Sequence, residues 1–137
     1  MQMIYFPVTC EILTPGHIKC LEFLRARGKI VVGVLTAKAL EGYKECLVPF
    51  TDRFLILKTV ARGISGGIAV VSQETLDPTN NIRAYNCNAI ASGDGWEKKE
   101  LEAIKNLKLL KIDIKFYNET TKRYSSSRIK ERCRKPH

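Results

Sequence analysis

Short apolar runs alternate with amphipathic stretches along this chain. Residues 3–8 are apolar and aromatic and predict a buried strand that stops at Thr9, Cys10 and Glu11. Thr14-Pro15-Gly16-His17 then spells a helix start. Thr14 suits the N-cap, Pro15 the first helical position, and Ile18, Leu21, Phe23 and Leu24 give an apolar side. Gly28 is expected to end that helix. Residues 29–35 (KIVVGVL) are continuously apolar, the pattern of a strand buried on both faces. Residues 42–48 read as a loop carrying Lys44. A second helix is expected over 49–60, ending near Gly63, with Phe54, Leu55 and Leu57 inward. Then come a strand at 67–71, a weak helix at 78–85 and a short strand at 89–91 leading into Ser92-Gly93-Asp94-Gly95-Trp96. A helix over 97–107, with Leu101, Ile104 and Leu107 on one side, a strand at 111–117 and a basic helix at 125–133 complete the series.

Strands alternating with helices at this spacing argue for βαβ units. The fold class expected is α/β: a Rossmann-like, parallel five-stranded sheet with helices on both faces, the crossovers right-handed. Residues 1–137 read as a single domain, with no repeat, low-complexity tract or linker. In such sheets a ligand sits beyond the carboxyl ends of the strands. That rule places residues 9–17, 36–44, 92–96 and 117–127 on one rim.

Composition narrows the setting. The hydrophobic fraction of 45% and charged fraction of 27% are those of a globular protein. No apolar run approaches the roughly 20 residues of a bilayer span, and the first residues lack the basic start of a secretory signal. A cytoplasmic protein without a membrane partner is expected. Five cysteines (Cys10, Cys20, Cys46, Cys87, Cys133) form no CxxC pair, which argues for reduced thiols and against a zinc site. The net charge of +9 points to an anionic partner. Much of the excess lies at the end, in Lys122, Arg123, Arg128, Lys130, Arg132, Arg134 and Lys135.

Three places offer chemistry. At Gly16–His17, amides at a helix start favour an anion, Gly16 permits close approach, and His17 adds a donor. A plain turn before a helix would be spelled the same way. Gly93-Asp94-Gly95-Trp96 offers an acid between glycines after a short strand, suited to a base, a ribose or a metal, or else to a capped tight turn. Tyr124-Ser125-Ser126-Ser127-Arg128 can cap a helix and bind phosphate. Lys44 and Arg53 are the remaining cations of interest, surface charges by default.

Taken in order, these pieces resemble the cytidylyltransferase-like nucleotidyltransferases, nearest to the glycerol-3-phosphate cytidylyltransferase type, over nearly the whole chain. That family reads G-x-F-D-x-x-H-x-G-H after its first strand, and this chain has Val8-Thr9-Cys10-Glu11-Ile12-Leu13-Thr14-Pro15-Gly16-His17. Its GD(D/G)W is matched by residues 93–96, and its R-T-x-G-I-S-T-T loosely by 120–127. Val48-Pro49-Phe50-Thr51-Asp52-Arg53 also has the family's look. Val8, Cys10, Glu11, Thr14 and Thr120 depart from the pattern. Thr14 nevertheless follows the TxGH of phosphopantetheine adenylyltransferases.

The resemblance implies transfer of CMP from CTP to a small phosphorylated or phosphonate acceptor, with pyrophosphate released. Magnesium (Mg2+) is the implied cofactor, carried mainly by the phosphates rather than by a protein metal site. His17 and Lys44 would be catalytic. Thr9, Cys10, Thr14, Gly16, His17, Gly93, Asp94, Trp96, Tyr124, Ser125, Ser126 and Ser127 would hold the nucleotide, and Glu11 and Arg53 the acceptor. Homodimers also occur in the family. The alternatives are an adenylyltransferase using ATP, and a degenerate member that binds nucleotide, RNA or protein through its basic end. Aromatic residues are not interleaved with the basic ones, which argues against nucleic acid.

Overall fold

The computed structural model describes residues 2–93, 95–114 and 131–134. Its elements run β1 (Gln2–Val8), α1 (Pro15–Arg27), β2 (Gly28–Leu35), α2 (Ala37–Leu40), α3 (Phe50–Ile64), β3 (Ile68–Gln73), α4 (Thr79–Ala84), β4 (Ala89–Ser92), α5 (Lys98–Leu107) and β5 (Leu110–Asp113). The five strands form one sheet in the order β3-β2-β1-β4-β5, every pairing parallel. The expected α/β architecture is the one found.

The alternation within each strand divides the core. From β1, Ile4 and Phe6 join Leu21 and Leu24 of α1, Leu57 of α3, and Ile30, Val32 and Val34 of β2. Tyr5 points the other way, with Val31, Ile90, Ile82 of α4 and Ala103 of α5. Thus α1 and α3 cover one face and α4 and α5 the other. The chain moves outward from β1 to β3, then returns to the far side of β1, and right-handed crossovers in opposite directions put their helices on opposite faces.

Two glycines are needed for close approach. A Cβ on Gly28 would lie 2.1 Å from the Gln2 carbonyl oxygen, so helix passes directly into strand there. Gly28 ends α1 as expected, its amide donating to the Leu24 carbonyl, and with an extended φ of 173° it also opens β2. At Gly33 a Cβ would meet the Tyr5 Oη at 1.9 Å. The ring of Tyr5 crosses β2 at that point, and its hydroxyl donates to Gln73 Oε1 (2.6 Å) and accepts from Asn81 Nδ2 (2.9 Å).

Some expectations need correction. Leu55 is 64% exposed and Leu101 is 45% exposed, so neither faces the core. Arg53 and Ala103 take the inward positions instead. The helix α2 was not foreseen; its N-cap is Thr36, whose hydroxyl accepts the Ala39 amide at 3.2 Å. Residues 131–134 are helical. The remainder of the expected basic helix, 115–117 of the last strand, Asp94 and Tyr124–Ser127 lie outside the described residues.

Candidate active site

β2 follows β1 as far as Val8↔Val34, whereas β4 pairs with β1 only at Ile4↔Ala89 and Tyr5↔Ile90. Beyond that, β1 carries Pro7, which has no N–H for a ladder. The sheet divides between β1 and β4, where the order of connection reverses, and a ligand crevice is expected at such a point. An open cleft of about 370 Å³ occupies the carboxyl ends of the strands here. Thr9, Cys10, Glu11, Thr14 and His17 line it after β1, Tyr43 and Lys44 after β2, and Ser92 at the end of β4 with Gly93, Gly95 and Glu97 beyond it. Three of the four rim segments read from sequence therefore meet, and the fourth lies outside the described residues.

The loop after β1 is built for a tight turn. Cys10 has φ 51°, a left-handed conformation that costs a residue other than glycine about 1–3 kcal/mol. It swings the chain out of the strand towards Thr14, the extended N-cap of α1. Here the cap is reciprocal. Thr14 and His17 form a capping box, with histidine where Glu or Gln is usual. Nδ1 of His17 accepts the Thr14 amide at 3.1 Å and lies 3.0 Å from the Thr14 hydroxyl. A main-chain amide can only donate, so in the neutral ring the proton resides on Nε2. The imidazole is half-buried on the cleft wall rather than sunk in the apolar interior.

Lys44 is exposed at the cleft mouth on the loop between α2 and α3. Beside it, the Tyr43 hydroxyl donates to the carboxylate of Glu97, the N-cap of α5, and so bridges the mouth. Glu11 is 6% exposed, and its Oε1 accepts the Leu47 amide at 3.0 Å. Glu100 accepts the Glu97 amide at 3.0 Å, and burial raises its carboxyl above the ordinary range. Burial likewise pushes the Cys10 thiol up to about 11, against the charge of Arg53.

Three expected site residues do not line the cleft: Gly16 is buried in the first turn of α1, and Arg53 and Trp96 are placed elsewhere. Arg53 is 2% exposed, not a surface charge: its guanidinium donates to the carbonyls of Val48 (3.0 Å), Thr9 (2.8 Å) and Leu35 (2.8 Å). Trp96 packs on the second core cluster, with Lys111 Nζ 4.9 Å above its ring, and does not line the cleft. Gln73 and Leu76 do line it, unforeseen. Applying the carboxyl-end rule to β3 as well would have found them.

A family model described as cytidylyltransferase-like matches residues 5–132. The chain belongs to that family. Among solved structures, this cytidylyltransferase-like chain is similar to the lipopolysaccharide core biosynthesis protein of Thermoplasma volcanium GSS1. The TM-score is 0.63 at 19% identity, over 82% of this chain and 93% of that one. A protein of unknown function from Archaeoglobus fulgidus matches at TM-score 0.59 and 17% identity, over 81% of this chain and 96% of that chain. The universal stress protein of Archaeoglobus fulgidus follows at 0.52 and 13%, over 82% and 93%. At such identities the likeness is one of fold. No curated protein sequence matches the chain. Among the described residues no helix is long and apolar enough to cross a membrane.

Proposed function

We propose that this cytidylyltransferase-like protein transfers CMP from magnesium-bound CTP to a small phosphorylated or phosphonate acceptor in the cytoplasm, releasing pyrophosphate. The observation that carries the reading is His17, fixed by its own helix cap at the wall of the crevice. Pro15 has no amide, and the His17 amide donates to the Thr14 carbonyl at 3.0 Å. At the cleft wall a phosphate would meet His17 together with the positive end of the α1 dipole.

The acceptor's phosphate oxygen is already ionised at neutral pH, so it needs no general base. It attacks the α-phosphorus in line. A new P–O bond forms while the bond to the β-phosphate oxygen breaks, and its electron pair leaves on pyrophosphate. The protein's part is to hold two anions together and offset the charge that develops. His17 takes the nucleotide phosphates and Lys44 reaches the phosphates of both reactants. Thr9, Cys10, Thr14, Gly16 and Gly93 shape the nucleotide side, and the family resemblance adds Asp94, Tyr124, Ser125, Ser126 and Ser127.

The magnesium belongs to the nucleotide substrate. An ion that arrives on the phosphates needs few dedicated protein ligands.

A second reading, ATP in place of CTP, is favoured by Thr14 and by the position of Trp96, whose ring faces the core and not the cleft. A pyrophosphate-release screen of CTP and ATP against polyol phosphates, sugar phosphates and phosphonates separates the two. Release with CTP and one acceptor class supports the proposal. Release with ATP alone transfers it to the adenylyl reading, and release with neither nucleotide refutes both.

A further inference from the structure

Glu11 and Arg53 resemble substrate contacts in the sequence, yet both are buried and both are tied to main-chain atoms. Their partners are informative. Leu47 and Val48 are consecutive residues at the end of the loop that carries Lys44. Glu11 accepts the amide of Leu47 at 3.0 Å and Arg53 donates to the carbonyl of Val48 at 3.0 Å. The same guanidinium reaches Thr9 O, beyond β1, and Leu35 O, at the end of β2, each at 2.8 Å. One planar fork therefore spans three chain segments, a geometry that a lysine cannot reproduce.

Resting on the nucleotidyltransferase reading, we infer that Glu11 and Arg53 are positioning residues: they lock the Lys44 loop onto the segment that leads from β1 into α1 and so fix the separation of Lys44 from His17. Neither touches the phosphates. Their effect passes through Lys44, because a displacement of about 1 Å in such a group costs about 10²-fold in rate.

The test uses the full chain, with Glu11→Ala, Glu11→Gln and Lys44→Ala. Glu11→Gln keeps an acceptor oxygen for the Leu47 amide and loses only the charge. Hydrogen exchange reads the lock without any ligand. In Glu11→Ala, amides 43–48 should exchange about tenfold faster or more, with β1 and α1 unchanged, and Glu11→Gln should recover most of that protection. Titration with magnesium-CTP reads the consequence. Affinity falls about tenfold in Glu11→Ala, is largely rescued in Glu11→Gln, and falls no further when Glu11→Ala is added to Lys44→Ala.

Unchanged exchange at 43–48 overturns the inference. So does a Glu11→Gln variant as impaired as Glu11→Ala, or a full additional loss in the Lys44→Ala background, since either puts the carboxylate on the ligand itself. Should the wild-type protein bind neither CTP nor ATP, the nucleotide reading fails by itself. The exchange result still decides the lock.

Discussion

A neutral imidazole whose Nδ1 accepts a main-chain N–H carries its proton on Nε2, and the cap fixes His17 in that form. Replacing His17 by alanine removes that donor and one side of the capping box. We expect a folded protein that loses about 1 kcal/mol of stability and about 10²–10³ in turnover, measured by urea unfolding and pyrophosphate release. Turnover at the wild-type level would remove His17 from the mechanism. The Cys10 thiol gives a second check. Its proton is held more tightly in the folded chain, at about 11 against an ordinary 9.0. Its contribution to stability is therefore complete below pH 9 and is lost as pH rises from 9 to 11, by at most about 2–3 kcal/mol. The melting temperature of the wild-type protein should fall more over that window than that of Cys10→Ser; parallel curves would show that the thiol does not titrate as described. His17 and Lys44 were legible as candidates because histidine at a helix start and lysine in a rim loop have recognisable spelling. Arg53 was named too, but its buried role was not legible, since an arginine in the first turn of a helix reads the same whether it faces solvent or three carbonyl oxygens.

The strands were the clearest elements in the sequence, because both faces of a parallel sheet are covered and the apolar runs are unbroken. Helices were less so. In α3 and α5 the apolar residues outnumber the positions that face the sheet, so Leu55 and Leu101 were placed inward when Arg53 and Ala103 occupy those sites. The helix α2 is four residues long, too short for periodicity to register. The close passage of Tyr5 over Gly33 is likewise a tertiary fact, invisible to local pattern. It yields a test at this scale: Gly33→Ala should cost about 1–3 kcal/mol in urea unfolding by overpacking. Tyr5→Phe should cost a similar amount, about 1–3 kcal/mol, by stranding the amides of Gln73 and Asn81. An alanine tolerated at Gly33 without loss would mean that the ring does not lie where it is described.

At the scale of the molecule, topology does what no single residue could. The reversal of strand order between β1 and β4 opens a crevice. The carboxyl-end rule then brings residues from separate loops to its walls. The rule was legible in advance, and three of its four segments are found together. The identity of nucleotide and acceptor was not, because substrates of one chemical class share the attacking oxygen. Exposed Lys44 makes part of the attraction long-range, so magnesium-CTP affinity should weaken as salt is raised from about 0.01 to 1 M, over which the screening length falls from about 30 to 3 Å. Affinity insensitive to salt would argue for a site without free cations. The central claim, that the start of α1 receives the triphosphate, is tested most directly by amide chemical shifts during a magnesium-CTP titration of the labelled protein. Triphosphate binding there gives saturable shifts concentrated at Gly16, His17 and Ile18, with lesser ones at Lys44 and Gly93, and their loss in His17→Ala. Saturable shifts that avoid the first turn of α1, or none at millimolar nucleotide, would contradict it.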